Sequence, residues 1–467
     1  MNRIGMQKFT LVLGMMSLLA APAFAQKQTP PAGGPPKAFA LPAHETYTLS
    51  NGMKVTLVPY GTLPKVTASL VVRAGSVNQT PEQYSVASVL GNLLKEGTTT
   101  KGAKQLAEEF AQMGGDLNVG IGEDESAFTT DVLSEFGPNA VKLLADVALH
   151  PLLPDSEMAR LKNDAVRQVT IARSIPQQIA SERFRKILYP DHPYGRILPA
   201  AEDIQKQTAA NAKAFYDANF VASRAHLYVA GRFDGAAVKK AISESFSGWT
   251  KGTVAAAAPP KTQAKRVLDV TDRPGAAQST IFVGMPVPGA DSPDTIPLAV
   301  TNSLLGGSFS SRITSNIREQ KGYTYSPNSQ ISRRVHDAYW VETADVTTAV
   351  TGASLKEIFG EVERLQKEAP GAEELKGIQS FLSGLFVIQN SSRGALIGQL
   401  RYVNLHGLGE DYLKTYVQKV NAVTPGDVQR MTAQYIKPEQ MTIVVVGDKA
   451  KISEQLAPYA STGDSNK

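Results

Sequence analysis

The apolar run Leu227-Tyr228-Val229-Ala230-Gly231 returns near the end of the chain as Val444-Val445-Val446-Gly447, with the two glycines 216 positions apart (447 − 231). The same offset sets Thr208 against Thr424, Asn211 against Asp427 and Phe220 against Ile436. One offset satisfying several positions marks an internal duplication, and a period this long means paired domains rather than a solenoid. At 467 residues the chain is long enough for each copy to bury a core of its own.

Each copy runs through a similar order of elements. Alternation in Val55–Val58 and Val66–Val72 predicts strands, and Val86, Val89, Leu90, Leu93 and Leu94 are spaced for a helix over Tyr84–Lys95. In the second copy, strand-like Ser279–Met285 precedes a helical pattern over Thr295–Leu305, and Ala338–Thr343 precedes another over Ser354–Ala369. Strands interleaved with paired helices predict an α+β fold of two homologous domains, each packing helices on one mostly antiparallel sheet.

Around these domains the sequence is less regular. Arg3 and Lys8, an apolar run Leu11–Leu19 and Ala21-Pro22-Ala23-Phe24-Ala25 have the order of a secretory signal over residues 1–25. The alternative, a retained anchor, has an apolar run that is short for the ~20 residues of a membrane span. Pro30, Pro31, Pro35, Pro36 and Pro42 make 26–43 an expected tether, and Gly252–Pro260 lies in an expected linker, 252–266. The domains are then 44–251 and 267–460, followed by a tail, 461–467. Removing Arg3 and Lys8 lowers the formal charge from +5 to +3. Charges of both signs alternate, as at Lys162, Asp164 and Arg167, so there is no basic stripe for nucleic acid. There is no cysteine, which excludes disulfides and thiolate metal sites.

Two stretches carry chemistry. Leu304-Leu305-Gly306-Gly307-Ser308-Phe309-Ser310-Ser311-Arg312 leads into Ile317-Arg318-Glu319-Gln320-Lys321-Gly322-Tyr323-Thr324-Tyr325. A guanidinium that stays ionised and a phenol that donates without charge suit a developing oxyanion. Together with the duplication, this pattern resembles the pitrilysin/insulinase family of zinc peptidases, over about Tyr47 to Pro458. In that family one half carries His-x-x-Glu-His on a helix ending in a Lys-Gly-Thr-like turn. Positions i, i+3 and i+4 share a helix face, so two imidazoles bind zinc beside a carboxylate base. Here the helix ends in Lys95-Glu96-Gly97-Thr98, and counting back places Ser88, Gly91 and Asn92 at the motif positions. The third ligand is expected near Gln168. Serine and asparagine do not replace imidazole in a stable zinc site, and glycine is no base. The six histidines are isolated from one another.

The resemblance implies that Arg318 and Tyr325 contact the substrate backbone and oxyanion, with Tyr323 as the alternative tyrosine. It implies that Asn118, in Gly114–Gly120, lies on the edge strand that pairs with an extended peptide. Gly306 and Gly307 are expected in a substrate-side loop needing positive φ or close backbone approach. The expected function is that of a non-zinc subunit: no cofactor in this chain, zinc in a homologous partner bearing His-x-x-Glu-His, and unfolded or extended peptides as substrate. The alternatives are an inactive binding or structural protein and a peptide-holding chaperone. The bacterial likeness implies the periplasm, while an export signal equally permits full secretion.

Overall fold

In the computed structural model of this protein the described residues are 39–254, 259–262 and 264–460. The expected signal, most of the tether, part of the linker and the tail lie outside them. Two sheets organise the rest. The first contains β1 (Glu45–Thr48), β2 (Lys54–Pro59), β3 (Lys65–Val72), β4 (Asn118–Ile121), β5 (Ser126–Leu133) and β6 (Ala225–Gly231), in the order β1-β2-β6-β3-β5-β4. The second contains β7 (Val267–Asp272), β8 (Gln278–Val287), β9 (Asn328–Arg334), β10 (Asp337–Thr347) and β11 (Thr442–Gly447), in the order β7-β11-β8-β10-β9. Apart from β1 the two orders are the same. In each sheet one pair is parallel, β2 with β6 and β7 with β11, and the rest are antiparallel. The duplication is thus one of topology, and the fold is α+β with two like halves.

One face of each sheet carries helices of its own half. Val86–Leu93, Gly137–Leu149, Ala209–Asn219 and Gly235–Phe246 bury their apolar stripes with Leu70, Val72 and Phe128 in the first core. Thr295–Asn302, Thr351–Lys367 and Pro425–Tyr435 do the same around Ile281, Trp340 and Val445 in the second. The helix expected from Tyr84 starts at Val86, because Ser85 takes a left-handed conformation with φ 83°. The helix expected to run to Leu305 is α-helical only to Asn302 and then widens into a π-turn over Ser303–Gly307.

The other face of each sheet is covered by the opposite half. The Pro176–Leu188 helix packs on β8 and β11, placing Ala180, Phe184 and Leu188 against Tyr339, Val341, Val444 and Val446. The Arg393–Leu405 helix packs on β3 and β6, placing Leu396, Ile397, Leu400 and Val403 against Val58, Val71, Tyr228 and Ala230. Adding 216 to Phe184 gives Leu400, so the exchanged helices are themselves a duplicated pair. Buried on both faces, β6 and β11 are enclosed at every position, which fits a central strand clad on two sides. Each fully buried Val, Leu or Phe contributes about 1.5–3 kcal/mol, so the exchange is a large part of what joins the halves. Ion pairs reinforce it: Arg393 grips Asp131 at 2.9 Å, and Arg183 grips Asp269 at 2.5 Å. Within the expected tether, Phe39 and Leu41 pack on the same seam, with Phe39 edge-on to Phe386 at 4.9 Å. No helix among the described residues is long and apolar enough to cross a membrane.

Candidate functional site

The Val86–Leu93 helix lies beside the edge strand β4 and the Met158–Ala172 helix. Its start is tied by Gln79, whose side-chain oxygen accepts from the Ala87 amide at 2.9 Å. Past its end the chain turns at Gly97, with φ 112°, where a Cβ would sit 2.5 Å from the Lys101 carbonyl oxygen. No other residue fits that turn without moving the backbone. Between these elements is a cavity of about 590 Å3, and Ser88, Gly91, Asn92 and Gln168 all line it. The four positions expected from the zinc motif therefore converge in space.

What they offer does not fit zinc. None of the four has an imidazole or carboxylate, and no histidine lines the cavity. Its one carboxylate, Glu123, is held between Arg185 at 2.5 Å and Arg334 at 2.6 Å. Gly91 faces Ile121 of β4, whose Cγ1 lies 3.1 Å from where a Cβ would be, so apolar bulk occupies the side of a catalytic carboxylate. Among the described residues no group of three or more His, Cys, Asp or Glu side chains is placed to hold a metal. Zinc binding needs three or four convergent lone-pair donors, and of the usual set the lining has only Glu123, already engaged by two arginines.

Two of the histidines, His226 and His192, serve the framework. His226 bridges Thr56 at 2.8 Å and Asn404 at 3.2 Å in the seam under the exchanged helix. Burial, aided by Lys54 and Arg73, lowers it to about 3, so it stays neutral. His192 accepts from the Tyr194 amide at 3.2 Å and shapes the turn at Pro193–Gly195, as its sequence context predicts.

Asn118 opens β4, the outermost strand of its sheet, and its exposed amide bonds Asp116 at 3.0 Å. It does not itself line the cavity, whereas Val119, Ile121 and Gly122 do. In the second half, Gly306 and Gly307 end the π-turn. Neither has positive φ; close approach is what requires them. A Cβ on Gly306 would lie 2.4 Å from a Glu342 carboxylate oxygen, and one on Gly307 2.4 Å from the Asn302 amide nitrogen. They form a helical turn rather than the open loop expected.

Arg318 lies in a second π-turn, Thr314–Gln320, a distortion often found at functional positions. Its guanidinium is sandwiched between two exposed rings, 4.5 Å from the centre of Phe309 and 4.7 Å from that of Tyr325, and it also meets Glu319 at 3.1 Å. Tyr325 is 81 % exposed and Phe309 69 %. Tyr323, by contrast, packs against the second core. The structure thus sets Arg318 and Tyr325 together on the surface, apart from the cavity lining.

Several residues at these places carry no signal in the sequence. Phe309 becomes a stacking partner only once the two π-turns are folded. Glu342 in β10 is fully buried with neither oxygen hydrogen bonded, and burial raises it well above the usual carboxylate range, a shift the nearby Asn328 amide eases without closing a hydrogen bond. Arg185, from the exchanged Pro176–Leu188 helix, reaches the cavity only because that helix crosses to the other sheet.

Duplicated α+β halves, with a metal-less motif helix in one and an exposed Arg–Tyr pair in the other, define a peptidase-like chain stripped of its zinc ligands. Residues 55–202 match the model described as insulinase (peptidase family M16), and residues 206–382 match that described as the peptidase M16 inactive domain. The chain belongs to the M16, or pitrilysin/insulinase, family. An uncharacterised zinc protease of Rickettsia felis is 24 % identical over 343 residues, covering 73 % of this chain and 82 % of that protein. The uncharacterised zinc protease YmxG of Bacillus subtilis is 26 % identical over 322 residues, 69 % of this chain and 76 % of that one. Among solved structures, a peptidase M16 inactive domain from Pseudomonas fluorescens superposes with a TM-score of 0.80 at 24 % identity, over 86 % of this chain and 98 % of that chain. A protease from Helicobacter pylori gives 0.81 at 21 % identity, over 87 % and 100 %. These structural likenesses bear on the fold.

Proposed function

We propose that this chain is the non-zinc subunit of an exported, two-chain M16 peptidase. It presents Arg318 and Tyr325 to the active site of a homologous partner that carries His-x-x-Glu-His and the zinc, and acts on extended or unfolded peptides in the periplasm. The observation that carries the reading is the pairing of a motif cavity that cannot hold zinc with an Arg318 guanidinium kept between two exposed rings. Stacking fixes the guanidinium plane while leaving its edge able to donate, so Arg318 is pre-oriented towards a carbonyl oxygen brought from outside. Tyr325 supplies a second, uncharged donor beside it.

The test is co-purification of the tagged mature chain from its native envelope, with protein identification, zinc content and peptide hydrolysis measured on the product. An equimolar relative bearing His-x-x-Glu-His, active only when paired, supports the reading. In that pair Arg318→Ala should lower turnover by about 100-fold or more, as loss of one oxyanion donor does. Chelator-sensitive hydrolysis by the chain alone refutes it. The second reading, a peptide-holding protein without catalysis, is favoured by a cavity that keeps its volume while lacking the zinc ligands, and predicts recovery of this chain without a zinc-bearing relative.

A further inference from the structure

The cavity that cannot take zinc has a charge pattern suited to the opposite kind of ligand. Its charged lining is Lys95, Arg185, Arg196 and Glu123. Glu123 is neutralised between Arg185 and Arg334, and neither Lys95 nor Arg196 has an ion-pair partner among the described residues. The motif positions add neutral groups, the Ser88 hydroxyl and the Asn92 and Gln168 amides. Tyr84, also in the wall, is pushed up to about 12, chiefly by burial and then by Glu182 and Asp203, and remains a neutral donor. The most telling group is Arg185. It is 7 % exposed, yet its Nε and one of its terminal nitrogens, Nη2, hydrogen bond nothing. Both nitrogens lie beneath the cavity surface, so Arg185 adds positive charge from behind the wall, and the cations that a carboxylate in the cavity can meet directly are Lys95 and Arg196.

We propose that this cavity is a carboxylate pocket, which receives an acidic side chain or the terminal carboxylate of an extended peptide laid along β4. The proposal rests on the reading of the chain as a peptide-binding subunit. β4 is the outermost strand of its sheet, and Val119, Ile121 and Gly122 connect its edge directly to the cavity wall. A peptide that adds to this edge presents alternate side chains to each face, and a volume of about 590 Å3 admits a side chain or chain end but no folded partner. Loss of the zinc ligands thereby converts a cation site into an anion site that anchors the peptide.

The test uses the full mature chain and one fluorescein-labelled, Val/Thr-rich decapeptide in four forms: central Asp or Asn, each with a free or amidated C-terminus. Dissociation constants are read by anisotropy at low salt. The expected result is that a carboxylate improves binding by about tenfold, and that Arg196→Gln with Lys95→Gln, both on the accessible wall, abolish the preference. A difference between Asp and Asn assigns the pocket to side chains; a difference between acid and amide assigns it to chain ends. Equal binding of all four forms, or a preference that survives the double substitution, overturns the carboxylate pocket while leaving peptide binding intact. Failure of every form to bind removes the peptide-binding reading and the pocket with it.

Discussion

Replacing Phe184 with alanine is expected to destabilise both halves of this chain together. Phe184 belongs to the first half in sequence but is 1 % exposed against the second sheet, with ring centres 6.2 Å from Phe282 and 5.5 Å from Tyr339. Gly284 of β8 leaves the room it fills: a Cβ there would lie 2.9 Å from its ring. Truncating a buried Phe to Ala costs about 3–5 kcal/mol, a large part of the roughly 5–15 kcal/mol that holds a domain folded. With a urea dependence of ~3 kcal/mol per molar, the midpoint falls by roughly 1–1.7 M. The chain's two tryptophans make the assay specific, since Trp249 sits in the first core and Trp340 in the second. In Trp249→Phe and Trp340→Phe backgrounds, each remaining fluorophore reports one half. Both transitions should move by the same amount, and Leu400→Ala, the duplicated position, should do likewise. A Phe184→Ala protein in which only one reporter shifts would show that the halves are stable independently and that the exchanged helices are mere cladding.

Glu342→Gln is expected to stabilise the protein at neutral pH. The native carboxyl holds its proton above the pH at which the unfolded chain releases it, so native stability is lost as pH rises from the ordinary glutamate range towards the raised value. The glutamine variant lacks this loss, so its advantage in thermal midpoint should vanish below the ordinary glutamate range and grow as pH rises above it. A constant advantage at all pH values would mean that Glu342 does not titrate in the fold. Reinstalling the motif as Ser88→His, Gly91→Glu, Asn92→His and Gln168→Glu should restore little zinc affinity, because Ile121 crowds position 91 and Lys95, Arg185 and Arg196 oppose a cation. Adding Ile121→Ala should improve it, and calorimetric titration that finds the four- and five-fold variants equal would discount the crowding. Tyr323→Ala should cost about 2 kcal/mol or more, since it packs on the core, while Tyr325→Ala should stay within about 0.5 kcal/mol. Denaturant titrations of equal midpoint would contradict that assignment of the two tyrosines.

The duplication and the strand positions could be read from residue order, because the offset between copies and the alternation along a strand survive in one dimension, whereas the grouping of Ser88, Gly91 and Asn92 with Gln168 on another helix rested on the family resemblance. Which sheet the Pro176–Leu188 and Arg393–Leu405 helices cover could not. An apolar stripe says that a helix packs, and nothing about the partner. The clue available was the unbroken apolar character of Leu227–Ala230 and Ile443–Val446, which only a strand covered on both faces tolerates. Glu342 was invisible for a related reason: in a strand running Tyr339-Trp340-Val341-Glu342-Thr343, a lone acid is expected to point to water. Arg185 acquires its role from Glu123, 62 positions earlier in the chain (185 − 123), and Phe309 from the local folding of the two π-turns that bring it over Arg318.

The exchanged helices also limit how this molecule can move. To swing one half away from the other, Phe184, Leu188, Leu396 and Leu400 would have to leave their sheets and expose Val341, Val444, Val71 and Tyr228 to water. At about 1.5–3 kcal/mol per large apolar side chain, such opening is comparable in cost to unfolding. The chain therefore behaves as a single stiff jaw. In the proposed two-chain peptidase, an enclosure that parts to admit a peptide and shuts to hold it would hinge at the contact between chains, not within this one.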